Sequence, residues 1–185
     1  MGAVRPGARR LSLRAMPVIH VAALSVASFG CAFDLRTRRI PNWLTFGAAA
    51  AGLVFHVVTG GANGLELGIG GWATGIALLM APYLLGGMGA GDVKLVGALG
   101  AWLGPGDTFW VAMYTGIAGA GMALIVGAWY GYLRQAASNA WLLLAHWRVN
   151  GLRPLPELTL AAGRGPRLAY AVPILAGTAV MLWLR

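Results

Sequence analysis

The chain has 185 residues, of which 58% are apolar and only 10% charged, and its mean hydropathy is +0.70. That balance excludes a soluble globular domain and a disordered chain, and predicts an all-α, polytopic integral membrane protein with about six transmembrane helices. A formal charge of +9 would suit nucleic acid, but 13 of the 14 basic residues are arginines, set mainly in short links between apolar runs where topology accounts for them. No nucleic-acid partner is expected; the expected surroundings are a lipid bilayer.

Residues 1–16 read as a basic tail and 17–185 as a single membrane domain. The tail carries Arg5, Arg9, Arg10 and Arg14 ahead of an apolar run, like the front of a signal peptide. Ser28-Phe29-Gly30 is a poor cleavage sequence, so a retained first span over 17–33 is preferred, with Met16 as an alternative start. This span ends at Asp34, and a basic turn closed by Pro41 and Asn42 follows. A second span, 43–58, contains His56, and a Gly/Asn link at 59–64 leads to a third at 67–85. Beyond a glycine-rich break, 92–103 is helical in pattern but about 18 Å long, short of a ~30 Å hydrocarbon core. Gly104-Pro105-Gly106-Asp107 makes a turn into a fifth span, 109–133. Residues 134–167 hold five arginines and three prolines, with 141–147 apolar enough to lie at the interface. A last span over 168–184 closes the chain.

Glycine supplies 29 residues. In lipid, helices associate by close backbone approach at small residues, and Gly71/Gly75, Gly97/Ala101, Gly100/Gly104, Gly116/Ala120 and Gly127/Gly131 have the small-xxx-small spacing for it. The tryptophans, Trp43, Trp72, Trp102, Trp110 and Trp183 among them, fall near span ends and read as interfacial anchors. Cys31, the one cysteine, reads as packing.

Charge placement orients the chain. With the turn after the first span cytoplasmic, that side holds Arg36, Arg38, Arg39, Lys94, Arg134, Arg148, Arg153, Arg164 and Arg167, against Arg185 and the tail arginines on the other. Asp34 and Asp92 then end elements on one cytoplasmic side.

The chain has only five acidic residues. A carboxylate at membrane depth costs roughly 2.5–3.5 kcal/mol on insertion scales, so Asp92, at the end of Gly86-Gly87-Met88-Gly89-Ala90-Gly91-Asp92, is the leading functional candidate and Asp34 its partner. Two facing carboxylates share one proton, one acting as base on water while the other polarises a peptide carbonyl. Gly89 and Gly91 would let an extended substrate backbone approach and allow dihedrals that other residues resist. Taken singly, Asp92 reads equally as a helix cap and Asp34 as a counter-charge to Arg36 and Arg38. Lys94 either biases the acid pair or snorkels to the interface. Glu66, Asp107 and Glu157 read as solvated link charges. His20, His56 and His146 lack metal-ligand spacing, and no His-Glu-x-x-His or Gly-x-Ser-x-Gly occurs, so neither a metal nor any cofactor is expected.

Asp34-Leu35-Arg36-Thr37-Arg38-Arg39-Ile40-Pro41-Asn42 closely resembles the first aspartate motif of type IV prepilin peptidases. Gly89-Ala90-Gly91-Asp92, with Lys94 following, matches their GxGD motif, and Leu168-Ala169-Tyr170-Ala171-Val172-Pro173-Ile174-Leu175-Ala176-Gly177 is similar to their last span. The resemblance extends over nearly everything from about residue 20 onward, and implies a GxGD intramembrane aspartic peptidase fold with Asp34 and Asp92 as the catalytic pair. Gly89, Gly91, Arg36, Arg38 and Lys94 are the accompanying substrate-binding candidates. The implied reaction is removal of the basic leader from a prepilin or pseudopilin, after a glycine, at the cytoplasmic face of the bacterial inner membrane. Larger members also methylate the new N-terminus through an added cytoplasmic domain, often with paired cysteines. With only a short turn in that place, the chain is similar to the small peptidase-only branch that serves tight-adherence, or Flp-type, pili. The competing readings are a small transporter using the aspartates as ion sites and a non-catalytic assembly subunit.

Overall fold

A computed structural model of the chain describes residues 6–131, 133–151 and 169–185. Arg5, Arg153, Glu157, Arg164, Arg167 and Leu168 lie outside the described residues. The fold is all-α, with no strand among the described residues. Five helices follow one another: α1 (Pro6–Thr37), α2 (Asn42–Leu84), α3 (Ala90–Trp129), α4 (Leu133–Asn150) and α5 (Ala171–Leu184). Three of them are long and apolar enough to cross a membrane: α1 over Met16–Thr37, α2 and α3. The start of α1 takes in most of the expected tail, and its far end passes Asp34 by a turn instead of stopping there.

Both α2 and α3 fold back at a glycine. Gly61 (φ 60°) breaks α2 and Gly104 (φ 76°) breaks α3, each in the left-handed region that a side chain resists. The links expected at 59–64 and 104–107 therefore shrink to single residues. Pro105 follows Gly104 without penalty, because a proline in the first turn of a helix gives up an N–H that has no partner there anyway. In α2 the two limbs lie back to back: Gly64 meets the His56 backbone and Gly68 the Leu53 and His56 side chains. The limb after Gly104 ends at Trp129, short of the expected 133, because the chain turns at Gly131 (φ 67°) into α4.

The short first limb of α3 is the centre of the molecule. Leu95, Val96, Ala98, Leu99 and Ala101 are all fully buried. Its length looked deficient for a span, but protein surrounds it, so bilayer thickness does not set its length; a helix apolar on every face belongs in such a core. The stripe Gly71/Gly75 on the second limb of α2 lies directly on Gly100, Gly104, Val96 and Gly97, with backbone against backbone. Gly116/Ala120 does not take part in packing among the described residues: both are exposed, and none of the described atoms lies within 4 Å of a side chain built at Gly116.

Breaking α3 at Gly104–Pro105 removes helical donors from the preceding carbonyls. His56 replaces one of them: its buried ring donates from Nε2 to the Trp102 carbonyl at 2.9 Å. Trp102 in turn donates from Nε1 to the Ala48 carbonyl at 2.8 Å and packs its ring against Phe55. Trp102 is thus a packing residue inside the fold and not an interfacial anchor, whereas Trp43 and Trp183 stay well exposed. His56→Ala should orphan a buried carbonyl, for a loss of about 1–3 kcal/mol, measured as a lower unfolding temperature in detergent.

α5 lies along the second limb of α3, where Gly177 lets Thr115 approach, and it ends in an ion pair of Arg185 with Asp107. Asp107 is accordingly paired, not merely solvated. Cys31 is buried in the core cluster as expected. α4, 18 residues long, extends well beyond the expected 141–147 and presents Trp141, Leu142, Arg134 and Arg148 outward.

Candidate active site

Asp34 sits in the last turn of α1, and both it and Asp92 are only 9% exposed. The Asp34 Oδ2 accepts the Ala171 N–H at 3.4 Å, at the first residue of α5. Asp92 is the third residue of α3, and its Oδ2 accepts the Gly89 N–H at 3.3 Å. Each carboxylate therefore occupies a helix N-terminus, where unpaired N–H groups and the helix dipole favour negative charge. The cap reading of Asp92 is correct as far as it goes. It engages one carboxylate oxygen and leaves the other.

The two acids lie within reach of each other's charge. Their flanking residues meet as well. Gly91 packs against Ile40, so that a Cβ there would stand 3.3 Å from the Ile40 Cβ. Lys94 donates from Nζ to Asn42 Oδ1 at 3.0 Å. The first motif thus folds onto the second through Ile40 and Asn42, which meet Gly91 and Lys94.

The remaining candidates divide. Gly89 has ordinary extended backbone (φ −81°), and the left-handed residue of the glycine stretch is Gly86 (φ 75°). At Gly89 the absent side chain matters for closeness instead, since a Cβ would stand 3.1 Å from Asp92 Oδ2. Gly91 faces Ile40 and offers no open cradle. Arg36 is exposed in the last turn of α1. Arg38, also exposed, takes a left-handed conformation (φ 54°) unusual for a side-chain-bearing residue, with its N–H donated to the Asp34 carbonyl at 2.9 Å. That turn carries the chain out of α1 toward Pro41. Lys94 directs its ammonium to Asn42 and the Phe46 ring.

Tyr170 was given no role by its sequence context. Half-buried at the start of α5, it lies within reach of the Asp92 charge, with its ring against Gly119. Its place in the last-span motif was the only available signal. No group of three potential metal ligands occurs among the described residues.

The model of the type IV leader peptidase family matches residues 21–133, more than half of the chain and the part holding both aspartates. The chain belongs to the type IV leader peptidase family. No curated protein and no solved structure matches it. In this leader peptidase the matched segment contains α1 from Val21, all of α2 and all of α3. α5 lies outside the match, yet its first N–H holds Asp34. The family is one of membrane peptidases, which agrees with the three helices long and apolar enough to span.

Proposed function

We propose that this leader peptidase is an aspartic endopeptidase in which Asp34 and Asp92 act as a pair. The observation that carries the reading is the meeting of two motifs far apart in sequence, with both acids buried together at helix N-termini. Like charges at close range favour one shared proton. The ionised acid takes a proton from water, the resulting hydroxide adds to the scissile carbonyl carbon, and the protonated acid gives its proton to the carbonyl oxygen. Collapse of the tetrahedral intermediate then breaks the C–N bond: the departing amine takes a proton from the protonated acid while a hydroxyl of the intermediate returns one to the ionised acid, which restores the shared proton. Anchoring Asp34 Oδ2 on Ala171 and Asp92 Oδ2 on Gly89 supports this by holding each carboxylate in one orientation while leaving its second oxygen for water or substrate.

The substrate we propose is an Flp-type prepilin or pseudopilin, cut after a glycine where its basic leader meets an apolar segment. The cytoplasmic face of the bacterial inner membrane is the proposed side, on the strength of nine basic residues in the links around both acids. The chain from α1 to α2 turns within a few residues, between Thr37 and Asn42. That short turn supports a peptidase without methyl transfer. Co-expression with an Flp-type prepilin, followed by N-terminal sequencing and intact mass, tests the whole reading. The expected product starts at the residue after the glycine and lacks the mass of an added methyl group. Uncut prepilin overturns the peptidase assignment, and a methylated product overturns the peptidase-only part alone.

A further inference from the structure

Beside the start of α3, and lined by neither aspartate, a groove of about 250 Å³ opens between the limbs of α2 and the first limb of α3. Phe46, Trp72, Ile76 and Tyr83 give it apolar and aromatic walls, and Lys94 is the one charged side chain among the described residues that line it. From Trp72 to Tyr83 it follows about 16 Å of helix at about 1.5 Å per residue. A helix about 10–12 Å across is too wide for that volume, whereas a single extended hydrocarbon chain is slender enough. Among the described residues no carboxylate lines the groove and Lys94 forms no ion pair; its ammonium is held by Asn42 Oδ1 and sits 5.3 Å from the centre of the Phe46 ring. A fixed cation at the edge of an apolar groove, with no ion-pair partner among the described residues, is complementary to an apolar chain bearing an anionic head.

We propose that this groove holds one acyl chain of an anionic phospholipid, with its phosphate against Lys94 Nζ. The size of the groove argues for the acyl chain, and the lone cation argues for the anionic head. Ala90 and Val93 line the same groove, so the bound lipid braces the first turn of α3, the turn that carries Asp92. The lipid thereby becomes a positioning element for that turn, in addition to being the surrounding solvent. Its binding is read without any prepilin, so it stands or falls apart from the peptidase reading.

The test is native mass spectrometry of the full chain in neutral detergent, titrated with phosphatidylglycerol or phosphatidylcholine. Wild type should favour phosphatidylglycerol by about fivefold, the effect of one well-placed basic residue. Lys94→Met should lose that preference and Lys94→Arg should keep it. Ile76→Trp, which fills the groove while leaving the cation in place, should lower adducts of both lipids. Equal binding of the two lipids by wild type overturns the proposal. So does a preference that survives both Lys94→Met and Ile76→Trp, or a photoreactive group at position 76 that captures prepilin while lipid adducts persist.

Discussion

Asp34→Asn and Asp92→Asn should each lower leader cleavage by about 10²–10⁴-fold, the range that acid–base catalysis contributes. Each change keeps the shape of the side chain and removes its titrating group. It also keeps the local structure, since an asparagine oxygen can still accept the Gly89 N–H at position 92 or the Ala171 N–H at position 34. A purely capping role for either acid therefore predicts nearly unchanged cleavage, which separates the two readings. Because the acids act as a unit, the double variant should be no worse than either single one. Gel shift of a co-expressed prepilin, with membrane levels of each variant checked by blot, measures this. Cleavage at the wild-type rate by either variant would leave the acids structural.

Gly71→Ala and Gly100→Ala should each destabilise the protein by about 1–3 kcal/mol or more, although each adds a single carbon. A Cβ at Gly71 runs into the Gly100 carbonyl, and one at Gly100 runs into the Gly71 carbonyl. Neither obstacle is a flexible side chain, so relief requires parting the second limb of α2 from the buried limb of α3. The buried limb of α3 carries Asp92 and Lys94 at its start, so separation should reduce cleavage as well as stability. Gly116→Ala is the matched control: a Cβ there meets none of the described residues within 4 Å, and replacing a helical glycine with alanine favours the helix by roughly 0.8–1.0 kcal/mol. Thermal unfolding in detergent should put the first two variants well below wild type and Gly116→Ala at or above it. Equal melting temperatures for all three would mean that the close glycine contact is not what holds the bundle.

The contrast between these glycines shows how far spacing alone can be read. Gly71/Gly75, Gly100/Gly104 and Gly116/Ala120 share one pattern, and only the tertiary arrangement separates the stripes that carry a helix interface from one that faces outward. His56 and Trp102 make the same point. Neither residue type has a local signature for serving a break at Gly104, because the carbonyls concerned belong to residues far away in the chain. Lys94 is a third case: its cationic head was legible, while its partner Asn42 was fixed by the folding of one motif onto the other.

The local chemistry of the sequence by itself determined a helical membrane protein, interruptions at glycines where φ turns positive, and two aspartates placed at helix ends. Hydropathy, proline and glycine act over a few residues and need no partner to be read. Only the tertiary structure decided that the shortest apolar run is the buried centre and that Asp34 is held by the start of α5. It likewise decided that a cation, Lys94, edges an apolar groove with no ion-pair partner among the described residues. These features arise from contacts between residues distant along the chain, and burial, hydrogen-bond partners and shape exist only once the helices have packed.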